Sequence, residues 1–179
     1  MIEATQRKIR EARFFYQRLV DERQRRVVNE PEAFRFYFSA FLSAATSVPE
    51  ALSHEGKKKY RAWAPEWDKQ LTPEERKLEQ FAYRLRVAEV HLSGTDLIVE
   101  REEIAVHELL NENVDRDVWR TLYAQRGSGP LGRETGTTFR PDYYLEDEAG
   151  KAQAIAICKQ HLDYLEKLVT DFLKAHDKR

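Results

Sequence analysis

Apolar residues recur at three- and four-residue steps over most of the chain, a period that predicts α-helices. The first, from about Ile2 to Arg26, carries Ile9, Ala12, Tyr16 and Leu19 on one stripe, widened by Phe15 and Val20. Lys8, Arg10, Glu11, Arg18 and Glu22 fall on the opposite side, which is expected to face water. Asn29-Glu30-Pro31-Glu32 reads as a break and a new helix start, with Pro31 near the first turn. The second helix is the most apolar: Phe34, Tyr37, Phe38, Phe41, Leu42, Ala45 and Val48 line one side. Ser39, Ala40, Ser43 and Ala44 keep another side thin enough for a neighbouring helix to approach. Pro49 is expected to end or kink it, because proline lacks the N–H and clashes with the preceding turn. Residues 50–70, with Tyr60, Trp63 and Trp67, then read as a short, less regular helical piece.

Thr72-Pro73-Glu74-Glu75 is the clearest start signal, a capping box with Thr72 as cap and Glu75 reaching back. It opens a third helix buried along Leu78, Phe81, Leu85, Ala88 and Leu92 and stopped by Ser93-Gly94. The last helix, about Lys151 to Ala175, places Ile155, Cys158, Leu162, Leu165, Val169 and Phe172 on a seam for packing against other helices. Cys158 in that seam reads as a small core residue. Between Gly94 and Asp147 the pattern turns β-leaning, in Leu97–Glu102 and in Thr137–Arg140 through Tyr143–Leu145. These are expected to pair as a small hairpin or edge structure around a short helix near Asp115–Gln125, with a flexible loop at Gly127–Gly132. The fold class is therefore mainly α: an up-down helical bundle over residues 1–179 as one domain. Residues 95–147 form an irregular or β-hairpin insertion before the C-terminal helix.

Composition narrows the class. A chain of 179 residues is long enough to bury a core without disulfides or a structural metal. Nine Phe, eight Tyr and three Trp with a net charge of −1 argue against disorder. Thirty basic residues against thirty-one acidic ones leave no global positive field, which disfavours a general nucleic-acid coat protein. No stretch approaches about 20 apolar residues, so no membrane span is expected. The opening Met1–Lys8 lacks the apolar run of a secretory signal, and one cysteine cannot form an internal disulfide. A cytoplasmic location is the expectation.

Familiar site motifs are missing from the sequence. It has no cysteine pair for zinc, no phosphate-cradling glycine loop followed by Lys-Ser/Thr, and no dinucleotide fingerprint. His107-Glu108-Leu109-Leu110-Asn111 resembles a zincin start, but Asn111 occupies the place of the second metal-binding histidine. Gly127-Ser128-Gly129 does not have the spacing of a nucleophile elbow. No cofactor or metal is expected, and most of His54, His107, His161 and His176 are expected at the surface. Lys57-Lys58-Lys59 and Arg126, Arg133 and Arg140 read first as solvated charge, with local phosphate binding as the alternative.

One constellation remains, at the end of the third helix: Arg84, then Arg86-Val87-Ala88-Glu89-Val90-His91, just before Ser93-Gly94. An arginine followed by four residues and a histidine there resembles the motif of the HEPN (higher eukaryotes and prokaryotes nucleotide-binding) superfamily of small helical bundles. A long charged first helix, the aromatic Phe36–Leu42 run of the second and a closing C-terminal helix fit the same likeness over about residues 2–94 and 148–175. The resemblance implies an RNA- or nucleotide-binding protein. In many relatives it implies a metal-independent endoribonuclease of toxin or defence type, with paired subunits bringing two motifs to one cleft. A neutral His91 would accept the proton of a ribose 2′-hydroxyl, and Arg86 would steady the negative charge gathering on phosphorus. Arg84 also falls within the spacing the family tolerates.

Two departures matter. The family commonly has a polar residue directly after the arginine, where this chain has Val87. At about 100° per residue, Arg86 and His91 lie about 140° apart on an ideal helix, whereas Arg84 and His91 lie within about 20°. The competing reading is a noncatalytic helical scaffold, or the partner subunit of a toxin–antitoxin-like pair. The arginines would then pair with Glu75 or Glu89, and His91 would cap the helix C-terminus.

Overall fold

A computed structural model describes residues 2–24, 31–91, 97–105, 137–147 and 150–176. Among them are four helices, α1 (Glu3–Gln24), α2 (Pro31–Asp68), α3 (Pro73–His91) and α4 (Ala154–His176). Three strands, β1 (Ile98–Ala105), β2 (Thr137–Asp147) and β3 (Gly150–Gln153), lie between α3 and α4 in sequence. The mainly helical bundle with a small insertion before the last helix is thus as expected. The short helix near 115–125 and the loop at 127–132 lie outside the described residues.

The apolar stripes meet as their spacing demands. Phe34, Phe38, Phe41, Leu42, Ala45, Val48 and Leu52 of α2 are buried against Ile9, Ala12 and Leu19 of α1 and the Cys158–Phe172 stripe of α4. Each buried Leu, Val or Phe contributes roughly 1.5–3 kcal/mol before entropy is counted. α1 is pinned at its start by Glu55 of α2, whose carboxylate accepts from Ala4 N at 2.9 Å, Thr5 N at 2.8 Å and Thr5 Oγ1 at 2.7 Å. Burial opposes that charge, but the bonds from Thr5 and Ala4 outweigh it and hold the Glu55 carboxyl below its ordinary range. A negative side chain on the first N–H groups of a helix also suits the helix dipole.

Pro49 does not break α2. Ala45, Val48 and Leu52 lie on one buried stripe that brackets it. Packing on both sides of Pro49 outweighs the roughly 3 kcal/mol a mid-helix proline costs. The break falls instead at Lys57, with φ 49° and ψ −122°, and helix resumes to Asp68. Its cause is visible next door. A Cβ on Gly56 would meet Tyr60 Cβ at 2.8 Å and Phe172 Cζ at 2.9 Å, so the bare backbone there lets α4 approach. Residues 50–68 are therefore the second half of α2, bent at 57.

The expected hairpin is present, and wider than expected. β1 and β2 pair antiparallel from Ile98 opposite Tyr144 to Ala105 opposite Thr137. β3 adds a third strand from Tyr144 opposite Gln153 to Asp147 opposite Gly150, whose φ of 118° favours glycine. The residues expected to begin the last helix at Lys151 belong to this strand. β2 is anchored to the bundle by Tyr143, whose ring stacks on Phe34 at 3.6 Å between centroids and 4° between planes.

Two polar expectations are corrected. Glu22, assigned to the solvent face of α1, is 1% exposed, because the last turn of α1 runs beneath β2. His161, one of four histidines of which most are expected at the surface, is 4% exposed: it lies between Cys158 and Leu165 on the buried stripe of α4. His54 is exposed, His176 is partly buried with Nδ1 2.8 Å from Phe172 O, and His107 lies outside the described residues.

Candidate functional site

α3 begins as its sequence dictates. Thr72 N donates to Glu75 Oε2 at 2.8 Å and Glu75 N donates to Thr72 Oγ1 at 3.1 Å, the two reciprocal bonds of a capping box. Glu75 also pairs with Lys167 of α4, which fixes the start of α3 against the closing helix. The Lys167 ammonium and the Thr72 backbone N–H hold the Glu75 carboxyl below its ordinary range. Ala82 and Leu85 are buried, while Leu78 and Phe81 are partly so, which sets the helix's rotation about its own axis. Leu92 and the Ser93-Gly94 stop lie outside the described residues.

That rotation decides what the other side presents. Tyr83 is 67% exposed and Val87 is 36% exposed, with Arg84 exposed beside them. The Arg84 guanidinium lies 5.8 Å from the centre of the Phe81 ring, a cation–π contact made by an exposed side chain. Arg86 is half-buried, on the flank of Ala82 and Glu89. Among the described residues neither arginine has an ion pair, and Glu75, the proposed structural partner, is taken by Lys167.

The backbone remains helical through His91, so an unwound end does not close the angle between positions 86 and 91. Position 91 therefore lies on the Arg84 side of the helix, two turns on. The His91 side chain lies outside the described residues.

Tyr83 was missed by sequence reasoning. Its signal was available: it falls off the Leu78–Phe81–Leu85 stripe, yet is a large aromatic beside an arginine. An exposed ring next to a free guanidinium can stack a base while the fork of donors holds a phosphate.

Other reactive groups do not compete with this end of α3. Cys158 is fully buried and desolvation pushes its thiol well above the ordinary range, so it is a packing residue. His161 is held neutral by burial, which lowers its pKa to about 4. The Tyr143 hydroxyl is pushed up to about 12 by burial and by nearby Glu22, against the opposing pull of Arg35. No described group of His, Cys, Asp and Glu has the makings of a metal site, and no described helix is long and apolar enough to cross a membrane. No family model, curated protein or solved structure matches the chain.

Proposed function

We propose that this chain is a HEPN-like helical bundle that binds RNA at the C-terminal end of α3 and cleaves it without a metal. The observation that carries the reading is the outward Arg84, beside exposed Tyr83, on the side of a regular helix where position 91 also lies. In this reading Tyr83 stacks a base and Arg84 holds the scissile phosphate. His91 takes the proton of the ribose 2′-hydroxyl, and the freed oxygen attacks phosphorus. The 5′-oxygen leaves with a proton from water, and a 2′,3′-cyclic phosphate remains. The ribose supplies the nucleophile, so the protein needs only a base and a cation. Arg86, on a different flank, reaches the same phosphate most directly from a second copy of the chain, so the reading includes a homodimer.

Fluorescence anisotropy with a short single-stranded RNA, run in EDTA, tests the binding half. Tyr83→Ala and Arg84→Ala are each expected to weaken binding about 10-fold, in line with the roughly 1–3 kcal/mol of a stacked base or charge-assisted bond. Unchanged binding in both variants overturns the assignment of this surface.

A second reading has its own observation. Val87 stands exposed where the resembling family carries a polar side chain, and with Tyr83 it forms an apolar spot suited to a protein partner. RNA-independent docking of a partner subunit that Val87→Asp abolishes, with no cleavage by the native protein, would favour this noncatalytic scaffold.

A further inference from the structure

The bend at Lys57 has made a hollow that the proposed site does not use. Residues 49, 50, 53, 54, 57, 58 and 61 follow the i, i+3, i+4 spacing of one helix face. That face runs across the non-helical Lys57 and lines an open space of about 860 Å³. The volume lies within the usual range of small-ligand sites, roughly 300–1,000 Å³.

Its lining carries three cations, Lys57, Lys58 and Arg61, with His54, Ser53 and the apolar surface of Pro49 and Tyr60, against one carboxylate, Glu50. None of the three cations has an ion pair or hydrogen bond among the described residues. The bend itself is held by tight packing: Phe172 of α4 fills the space beside Gly56 and also packs on Tyr60. Lys57, one of the lining residues, keeps a backbone conformation that glycine would adopt more readily.

We propose that this hollow binds a small phosphate-bearing anion, with Lys57, Lys58 and Arg61 neutralising the phosphate and Ser53 and His54 completing its hydrogen bonds. Arginine brings a fork of donors suited to phosphate, and the lysines bring mobile point charges. A short, open hollow on a single helix offers room for a compact ligand. A polymer backbone would require an extended basic track.

Inorganic pyrophosphate is the probe, titrated calorimetrically into the full-length chain at low ionic strength and again at 0.15 M salt, about the physiological level. Saturable binding is expected, weakened at least 10-fold by the exposed double variant Lys58→Glu/Arg61→Glu and by its milder counterpart Lys58→Gln/Arg61→Gln. The control Arg7→Glu/Lys77→Glu, with the same charge change at exposed residues outside the hollow, is expected to stay within 2-fold of native. Absence of saturable binding to the native chain, or equal loss in the control, overturns the proposal. So does a hollow variant that loses binding of a short oligoribonucleotide when pyrophosphate never bound, because that places a polymer there. Pyrophosphate binding is read on the hollow variants and RNA cleavage on His91→Ala, so this inference and the RNA-cleavage reading fail independently.

Discussion

Arg23 at the end of α1 grips Asp142 of β2 across 119 residues of sequence, Nε to Oδ1 at 3.0 Å and Nη2 to Oδ2 at 2.9 Å. The pair is the polar rivet between the bundle and the sheet. Its carboxylate is 8% exposed and also accepts from Tyr143 N at 3.0 Å and Gln153 Nε2 at 2.8 Å. One carboxylate therefore ties α1, β2 and the end of β3. Removing one partner of such a pair leaves a buried charge. Arg23→Ala is expected to lower stability by about 3 kcal/mol. Arg23→Lys should recover only part of this, because an ammonium cannot form both bonds of the fork. Urea denaturation of the two variants checks both statements, and equal stability of Arg23→Ala and native would refute them.

The bend in α2 yields a second expectation. Alanine ordinarily favours a helix over glycine by about 1 kcal/mol. At Gly56 the added methyl meets Tyr60 Cβ, which cannot swing away, and the tip of a Phe172 ring buried among Tyr60 and Trp63. Gly56→Ala should therefore destabilise by about 2 kcal/mol, as overpacking does. Phe172→Leu in the Gly56→Ala background should cost less than Phe172→Leu alone, a positive coupling visible in a double-mutant cycle. At the neighbouring position, Lys57→Gly relieves the positive φ and should stabilise by about 1 kcal/mol. Thermal melts of the four variants decide.

His161 should give the protein an acid-sensitive stability. Its ring lies between Phe41 at 6.4 Å and Tyr164 at 6.2 Å, and its buried Nδ1 has no hydrogen-bond partner among the described residues. Burial lowers its pKa to about 4, below the roughly 6.5 of an unfolded histidine. Between those two values the unfolded chain binds a proton that the folded chain refuses. Stability is thus full above about pH 6.5 and falls with pH down to about 4, by up to about 3 kcal/mol. His161→Phe keeps the aromatic packing without the orphaned nitrogen, and is expected to flatten that slope between pH 4 and 6.5. It should also be no less stable than native at pH 7. An unchanged slope in the variant would refute the assignment.

The sequence showed most clearly what local periodicity encodes. The stripes on α1, α2 and α4, the capping box at Thr72 and the β1–β2 pairing each repeat or signal within a few residues, and each is present in the fold. What escaped depends on partners far along the chain. Arg23 and Asp142 each look like ordinary surface charges until α1 and β2 meet. Glu22 looks solvent-facing until the sheet covers it. Pro49 reads as the breaker of α2, but Ala45, Val48 and Leu52 around it belong to one buried stripe. Gly56, with no side chain to report, marks the place where Phe172 presses in. His161 was legible, since Cys158 and Leu165 on either side already reserve it a buried place. At the candidate site, Arg84 and Arg86 were visible through their distance from His91. The exposure of Tyr83 emerged only once the rotation of α3 was fixed.

Metal-free cleavage of a defined single-stranded oligoribonucleotide, with the ends of its products identified by mass spectrometry, tests the central reading most directly. Native protein in EDTA should produce 2′,3′-cyclic phosphate ends, leave the 2′-deoxy analogue intact, and lose at least about 100-fold in rate on His91→Ala, the scale of a lost general base. Cleavage of the deoxy analogue, or the same product yield from His91→Ala as from native protein, would contradict it.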